Sequence, residues 1–120
     1  MAINYYRDLK VWQKSMDLAV AIYQNAKLLP KEELYGLSDQ MRRAVVSIPS
    51  NIAEGNQRKS TKDNIRFLNI ARGSLGELET QIMLCERMNY LPKDKTGSLL
   101  DQCTEIGKML NGLINSLLQP

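Results

Sequence analysis

The chain has 120 residues, of which 43% are hydrophobic and 24% are charged. These proportions are typical of one globular domain, and they exclude a mostly disordered chain and a protein with two cores. No apolar run approaches the roughly 18 residues that cross a membrane, and the N-terminus lacks the apolar stretch of a signal peptide. We therefore expect a single cytoplasmic domain, residues 1–120, without a membrane partner.

The first predicted helix covers residues 8–29 and stops before Pro30, because the residue before a proline disfavours the helical conformation. Its apolar side chains recur every three or four positions and form two adjacent stripes. One stripe consists of Trp12, Met16, Ala19, Tyr23 and Ala26, and the other of Val11, Leu18, Ile22 and Leu29. Tyr5, Tyr6 and Trp12 cluster near the N-terminus. We expect Trp12 to pack in the core, with base stacking as the alternative role of these rings.

The second predicted helix covers residues 38–57, with Ser38 as its N-cap and Asp39 at its positive end. Its apolar face consists of Met41, Ala44, Val45, Ile48 and Ile52. Pro49 lies in the middle of this segment, where it removes one backbone hydrogen bond and crowds the carbonyl group four residues earlier. We expect a helix that kinks at Pro49, and a true break is the alternative.

The third and fourth predicted helices cover residues 61–89 and 93–118. Ser60 is the expected N-cap of the third helix, Asn89 suits its C-terminus, and Pro92 prevents its continuation. Each helix has an apolar seam with alternating steps of three and four residues. The seams are Leu68, Ala71, Leu75, Leu78, Ile82 and Cys85, and then Leu99, Cys103, Ile106, Leu110, Leu113 and Leu117.

Four long helices with short connections, and no competing strand pattern, predict an all-α fold. The expected architecture is an antiparallel up-down four-helix bundle, with helix two kinked at Pro49. Helices one and four have apolar faces that are wider than a single seam requires. The extra width predicts an interface between copies of the chain, and a broad core face is the alternative.

Residue types that support catalysis are scarce in this chain. Histidine is absent, which removes the commonest general base and the commonest metal ligand. The carboxylates do not form the pairs or the ExxH spacing that acid–base or di-iron chemistry uses. The two cysteines, Cys85 and Cys103, are not in a CxxC motif and lie on the apolar seams. We therefore expect no enzyme, no metal and no cofactor, and two buried, reduced thiols.

The second helix is unusually polar between residues 47 and 60. Asn51 and Glu54 are three residues apart and share one helix face. We expect Ser47, Asn51 and Glu54 to form a structural hydrogen-bonding network that holds the kink. The alternative is a binding surface for phosphate or for a partner.

The net charge is +3, and all of the excess lies in residues 38–62, which hold five basic and two acidic side chains. Guanidinium groups match phosphates bidentately, so a patch of them could bind nucleic acid in a salt-dependent way. The candidate contacts are Arg42, Arg43, Arg58, Lys59, Lys62, Arg66 and Arg72. A solvated face with local salt bridges is the alternative for a monomer, whereas an oligomer would multiply the patch.

Four segments of the chain, residues 6–14, 35–44, 47–55 and 67–81, resemble a known bacterial family. The stretches SIPSNIAEG and ARGSLGELETQ are specific to this resemblance. The chain is similar to the four-helix bundle proteins encoded in intervening sequences of large-subunit ribosomal RNA genes. These proteins are related to the accessory variability determinant proteins of diversity-generating retroelements.

This resemblance implies a cytoplasmic bundle that assembles into a homopentameric barrel with a basic surface. For the retroelement relatives it implies binding to nucleic acid and to a reverse transcriptase. We therefore expect a non-catalytic, oligomeric accessory protein that binds RNA or DNA, with RNA favoured, through its arginines and lysines. The alternative is a scaffold that docks a protein partner, such as a reverse transcriptase, without touching nucleic acid.

Overall fold

The computed structural model describes residues 5–119 and contains four α-helices, with no strand in that part of the chain. The helices are α1, Lys10–Ala26; α2, Leu37–Asn56; α3, Thr61–Arg87; and α4, Lys93–Leu118. Two short 3-10 turns, Tyr6–Asp8 and Lys31–Glu33, precede α1 and α2. The predicted all-α class is confirmed.

The helices form an elongated bundle with principal extents of 47 × 23 × 21 Å. Helix α2 packs against α1 and α3, α3 packs against α4, and α4 returns to pack against α1. Short connections make consecutive helices antiparallel. The predicted up-down four-helix bundle is therefore confirmed, and one end of it holds the N-termini of α1 and α3 together with the C-termini of α2 and α4.

The core is a continuous column of aliphatic side chains contributed by all four helices. Its largest fully buried members are Leu18, Ile22, Met41, Val45, Ile48, Ile52, Leu68, Leu78, Ile82, Leu99, Ile106 and Leu110. Complete burial of such a side chain stabilises a fold by about 1.5–3 kcal/mol. The predicted apolar face of α2 and the predicted seam of α3 are buried throughout, and so are Cys85 and Cys103, which are free thiols.

Helix α1 is shorter than predicted, because it starts at Lys10 and ends at Ala26 rather than covering residues 8–29. Leu9 has an extended backbone (φ −76°, ψ 126°), which separates the helix from the preceding 3-10 turn. At the other end, the amides of Leu28 and Leu29 form tight-turn hydrogen bonds to the carbonyls three residues earlier. Trp12 is half-buried and packs against the core.

Helix α2 begins at Leu37, and the prediction of Ser38 as its N-cap is wrong. Glu33 supplies the cap instead, since its carboxylate accepts the Leu37 amide at 3.1 Å. Ser38 is buried, and its hydroxyl donates to the Ala26 carbonyl at 3.3 Å. The helix continues through Pro49 as far as Asn56, one residue short of the predicted end, so the alternative of a true break is wrong. The kink remains a prediction.

Helix α3 has a side-chain cap at its start and a backbone cap at its end. The Ser60 hydroxyl accepts the Asp63 amide at 3.1 Å, as predicted. The helix stops at Arg87, two residues before the predicted end, because Asn89 adopts a positive φ of 59°. The Asn89 and Tyr90 amides then donate to the Glu86 and Cys85 carbonyls, which is the Schellman arrangement. Helix α4 has the predicted bounds.

Candidate nucleic-acid interface

The corner between α2 and α3 is built on a close contact at Gly55. A β-carbon at this position would lie 2.9 Å from Asn64 Oδ1, 2.9 Å from Phe67 Cβ and 3.0 Å from the Asn64 carbonyl oxygen. Only glycine allows α3 to approach so near. This contact brings the C-terminal turn of α2 against the second turn of α3.

Four of the predicted cations meet at this corner: Arg58, Lys59, Lys62 and Arg66. We call them the basic corner. Two of the guanidinium groups lie against the ring of Phe67, with Cζ 4.8 Å from its centroid for Arg58 and 4.5 Å for Arg66. Such cation–π contacts hold the charged heads beside a hydrophobic surface. All four cations of the basic corner are exposed to solvent.

The two arginines of the basic corner also form ion pairs. Arg58 Nη2 lies 2.7 Å from Glu54, and Arg66 Nε lies 3.9 Å from Asp63. Because both pairs are solvent-exposed, they are weak and exchangeable. Within residues 5–119, the ion pairs with an N–O distance of 4.0 Å or less include neither Lys59 nor Lys62. The basic corner therefore keeps two uncompensated ammonium groups.

The remaining predicted cations lie elsewhere on the bundle. Arg42 and Arg43 are near the start of α2, roughly 22 Å along the helix axis from Arg58 at 1.5 Å per residue. Arg42 donates to the Leu34 carbonyl at 3.3 Å, and Arg43 pairs with Asp39 at 3.0 Å.

Arg72 belongs to another flank, where it donates to Asn111 of α4 at 2.8 Å. The bundle thus divides the seven candidate cations into three separate groups. Only the basic corner brings four of them together.

A groove with aromatic walls lies at the same end of the bundle, between the N-terminal 3-10 turn and α2. Its volume is about 450 Å³, and its lining residues are Tyr5, Tyr6, Ser50, Ala53, Glu54 and Gln57. We call it the aromatic groove. The guanidinium of Arg7 lies 4.6 Å from the Tyr5 ring centroid and 5.7 Å from that of Tyr6. The interaction with Tyr6, and secondarily with Tyr5, raises the pKa of Arg7, and an arginine is in any case a permanent cation.

Sequence reasoning missed Arg7, Gln57 and Phe67 as members of this end of the bundle. The sequence carries one signal for Phe67, because it directly follows Arg66. No sequence signal places Arg58 over the Phe67 ring or Gln57 beside the tyrosines, since those contacts join different elements of the fold.

The predicted polar network is partly assembled at the middle of the α2–α3 contact. Asn51 Nδ2 donates to the Ser47 carbonyl at 2.8 Å and lies 2.9 Å from the Ser47 hydroxyl oxygen. That hydroxyl is 2.7 Å from the hydroxyl of Ser74 on α3. Glu54 is outside this network and pairs with Arg58. The polar groups therefore link α2 to α3 and are not confined to one face of α2.

One flank of the bundle, along α1 and α2, carries apolar side chains that no other helix covers. Met16, Val20 and Tyr23 follow the helical spacing of α1 and are 43%, 58% and 43% exposed. Val46 of α2 is 41% exposed, and it lines a cleft with Tyr23. We call these four residues the apolar flank. On α4, by contrast, Ile114 is buried in the core.

The described part of the chain holds neither a group of metal ligands nor a helix that could span a membrane. Between residues 5 and 119, no three His, Cys, Asp or Glu side chains are grouped closely enough to hold a metal ion. Among the helices described above, none is both long and apolar enough to span a membrane.

Comparison with known proteins places this bundle in a family. The family described as "23S rRNA-intervening sequence protein" matches residues 7–112. The chain belongs to this family. The match includes α1, α2, α3, most of α4 and the whole of the basic corner, and it confirms the family resemblance drawn from the sequence motifs.

A solved structure supports membership in the 23S rRNA-intervening sequence family. It is a crystal structure at 1.70 Å resolution of a protein of unknown function from the S23 ribosomal protein family of Bacteroides thetaiotaomicron. The two chains are 34% identical, with a TM-score of 0.81, over 87% of this chain and 97% of that one. No curated protein matches the chain. Neither the family description nor the solved relative names a reaction.

Proposed function

We propose that this protein is a non-catalytic, oligomeric RNA-binding accessory protein that holds the phosphate backbone at the basic corner. The observation that carries the proposal is the grouping of four exposed cations at the corner between α2 and α3. Two of them, Arg58 and Arg66, lie on the Phe67 ring, and Lys59 and Lys62 have no ion pair in the described part of the chain. Phosphate groups can compete for the two arginines because their exposed ion pairs are weak. The family description, which refers to an intervening sequence of 23S rRNA, supports the choice of RNA as the nucleic acid.

The chemistry of the corner supports backbone contacts rather than sequence reading. Guanidinium groups form two parallel hydrogen bonds to a phosphate, and ammonium groups act as point charges. Such contacts position a nucleic acid without carrying sequence information, and their strength falls as salt rises.

Assembly would multiply a patch that is modest in one chain. The apolar flank supports self-association, because exposed apolar side chains that lie together on a surface usually mark an interaction site. The homopentamer implied by the family resemblance would repeat the basic corner five times and raise the local potential.

The apolar flank also favours a second candidate function, in which the assembled bundle docks a protein partner such as a reverse transcriptase. In that case the arginines serve local ion pairs such as Arg43–Asp39 and Arg58–Glu54. This function requires no nucleic-acid affinity, so the two candidates are distinguishable in solution.

The first test is size-exclusion chromatography with light scattering, in which the ratio of absorbance at 260 and 280 nm is recorded at low and high salt. An oligomer that carries nucleic acid at low salt and loses it at high salt is the expected result. A clean oligomer without nucleic acid would favour the protein-docking function. A clean monomer would count against assembly and against the multiplied patch.

The second test uses charge reversal at the basic corner. We expect Lys59→Glu combined with Lys62→Glu to weaken RNA binding. The slope of log K against log salt concentration should also become shallower by about 1.4, because each lost phosphate contact to a single strand removes about 0.7 from it. The matched control is Lys93→Glu with Lys95→Glu, which reverses two exposed lysines at the opposite end of the bundle. Equal losses in both double variants would contradict a local site.

A further inference from the structure

The aromatic groove lies beside the basic corner, but its lining includes a carboxylate and no lysine or arginine, so the proposed phosphate contacts do not explain it. Glu54 links the two, since it lines the groove and binds Arg58 at 2.7 Å. Arg7 flanks the other side of the groove through its contact with Tyr5 at 4.6 Å. The groove therefore runs between two guanidinium groups.

The lining of the groove combines a flat ring with hydrogen-bonding groups. Tyr5 is 39% exposed, and its ring lies 5.0 Å from that of Tyr6, which in turn packs edge-on against Trp12 at 5.3 Å. This chain of rings anchors the exposed tyrosine to the bundle. Gln57 offers an amide that both donates and accepts, and Ser50 offers a hydroxyl.

This composition fits an unpaired nucleobase better than it fits a phosphate or a duplex. The carboxylate of Glu54 repels a phosphate inside the groove, but it can accept a hydrogen bond from a base amino or imino group. A base in a duplex is stacked on its neighbours and cannot enter a groove, whereas a base in a single strand can stack on an aromatic side chain. The flanking arginines then meet the phosphates on either side of that base.

We propose that the aromatic groove binds one unpaired base of a single-stranded RNA, stacked on Tyr5, while the basic corner and Arg7 hold the adjacent backbone. This inference rests on the proposed RNA-binding function and specifies its substrate as single-stranded. It predicts that the protein prefers loops, bulges and free strands to continuous duplex.

The test measures fluorescence anisotropy with a labelled RNA of about 16 nucleotides, a length within the site sizes of single-strand binders. The same strand annealed to its complement is the duplex probe. We expect the wild-type protein to bind the single strand more tightly than the duplex. We expect Tyr5→Ala to weaken single-strand binding by about 5- to 150-fold, the range for losing one stacked base, with little effect on the duplex.

Two control variants separate stacking from general effects. Tyr5→Phe keeps the ring and should bind the single strand as the wild type does. Tyr35→Ala removes a tyrosine that is 90% exposed at the opposite end of the bundle, and it should leave binding unchanged. Thermal unfolding followed by circular dichroism checks that every variant is folded. A photo-crosslink from a thiouridine in the single strand should map to Tyr5 or Tyr6.

The outcomes distinguish this inference from the function on which it rests. If both probes bind in a salt-dependent way with equal affinity, and Tyr5→Ala changes neither, the inference is overturned while the RNA-binding function stands. If neither probe binds the wild-type protein at low salt, both are overturned. A folded Tyr5→Ala variant that loses affinity for the single strand alone, together with a crosslink at the groove, supports the inference.

Discussion

Gly55 of α2 lies so close to Phe67 of α3 that a β-carbon on the glycine would be 2.9 Å from the phenylalanine Cβ. This contact determines where the two helices cross, and it places Arg58 over the Phe67 ring. The basic corner therefore depends on a residue that carries no charge and no side chain.

We expect Gly55→Ala to lower the free energy of unfolding by about 1–3 kcal/mol, because the added methyl group must displace the Asn64 side chain and backbone and the Phe67 β-carbon. The matched control is Gly73→Ala in α3, where a β-carbon meets no atom within 4 Å. That substitution should stabilise the protein by about 0.5–1 kcal/mol, since alanine is the better helix former. Urea denaturation measures both, and equal effects of the two substitutions would contradict the close approach.

Glu33 ties the connection before α2 to the connection after α3. Its carboxylate accepts the Leu37 amide at 3.1 Å and the Tyr90 hydroxyl at 2.8 Å, and these bonds lower the pKa of Glu33 below its ordinary value of 4.5. A carboxyl group whose pKa is lower in the folded state stabilises the fold fully above the unfolded pKa. That contribution is lost as pH falls through the folded pKa.

We therefore expect the melting temperature to fall as pH drops below about 4.5, and Glu33→Gln to make that fall shallower. At neutral pH the same variant should melt at a lower temperature than the wild type, because the amide is a poorer acceptor than the carboxylate. Tyr90→Phe removes one of the two hydrogen bonds and should give an intermediate pH dependence. If the melting temperatures of the wild type and of Glu33→Gln fell by the same amount as pH drops, this account would be refuted.

The two cysteine thiols should be unreactive in the native protein. Burial, and secondarily the charge of Glu33, raises the pKa of Cys85 to about 11; burial, and secondarily Glu79, raises the pKa of Cys103 to about 12. Because the thiolate is the reactive form, we expect labelling at neutral pH to be at least about 100-fold slower than in denaturant. A thiol-reactive dye measures the rate, and Thr104→Cys, on the exposed face of α4, provides a fast-reacting control. Rapid labelling of the native wild type would indicate local opening.

The apolar flank should be the site of self-association. We expect Val20→Lys to reduce the mass of the assembly measured by light scattering, because a charge cannot be buried unpaired in an interface. The free energy of unfolding of the monomer should change by no more than about 0.5 kcal/mol, since Val20 is 58% exposed. Met83→Lys on α3, where the side chain is 48% exposed, is the matched control. An unchanged mass for Val20→Lys would exclude this flank.

The helices could be predicted from the sequence because apolar periodicity and capping residues are local signals. The α3 seam from Leu68 to Cys85 is buried as its spacing predicts, and Ser60 caps its helix. The errors lie at helix ends that distant groups determine. Ser38 is not the cap because its hydroxyl donates a hydrogen bond to the Ala26 carbonyl in α1. The Glu33 carboxylate accepts the Leu37 amide in its place.

The candidate site could be predicted only as a set of charges. The sequence by itself determined the four helices, the bundle, the family and the basic excess in residues 38–62, all of which are properties of residue type and spacing. Four of the candidate cations lie within residues 58–66 of the sequence, and only the tertiary structure decided what those side chains contact. It separates Arg42 and Arg72 from the corner and joins Arg58 to Phe67, because such contacts depend on where α2 and α3 cross, and the close approach at Gly55 determines that crossing.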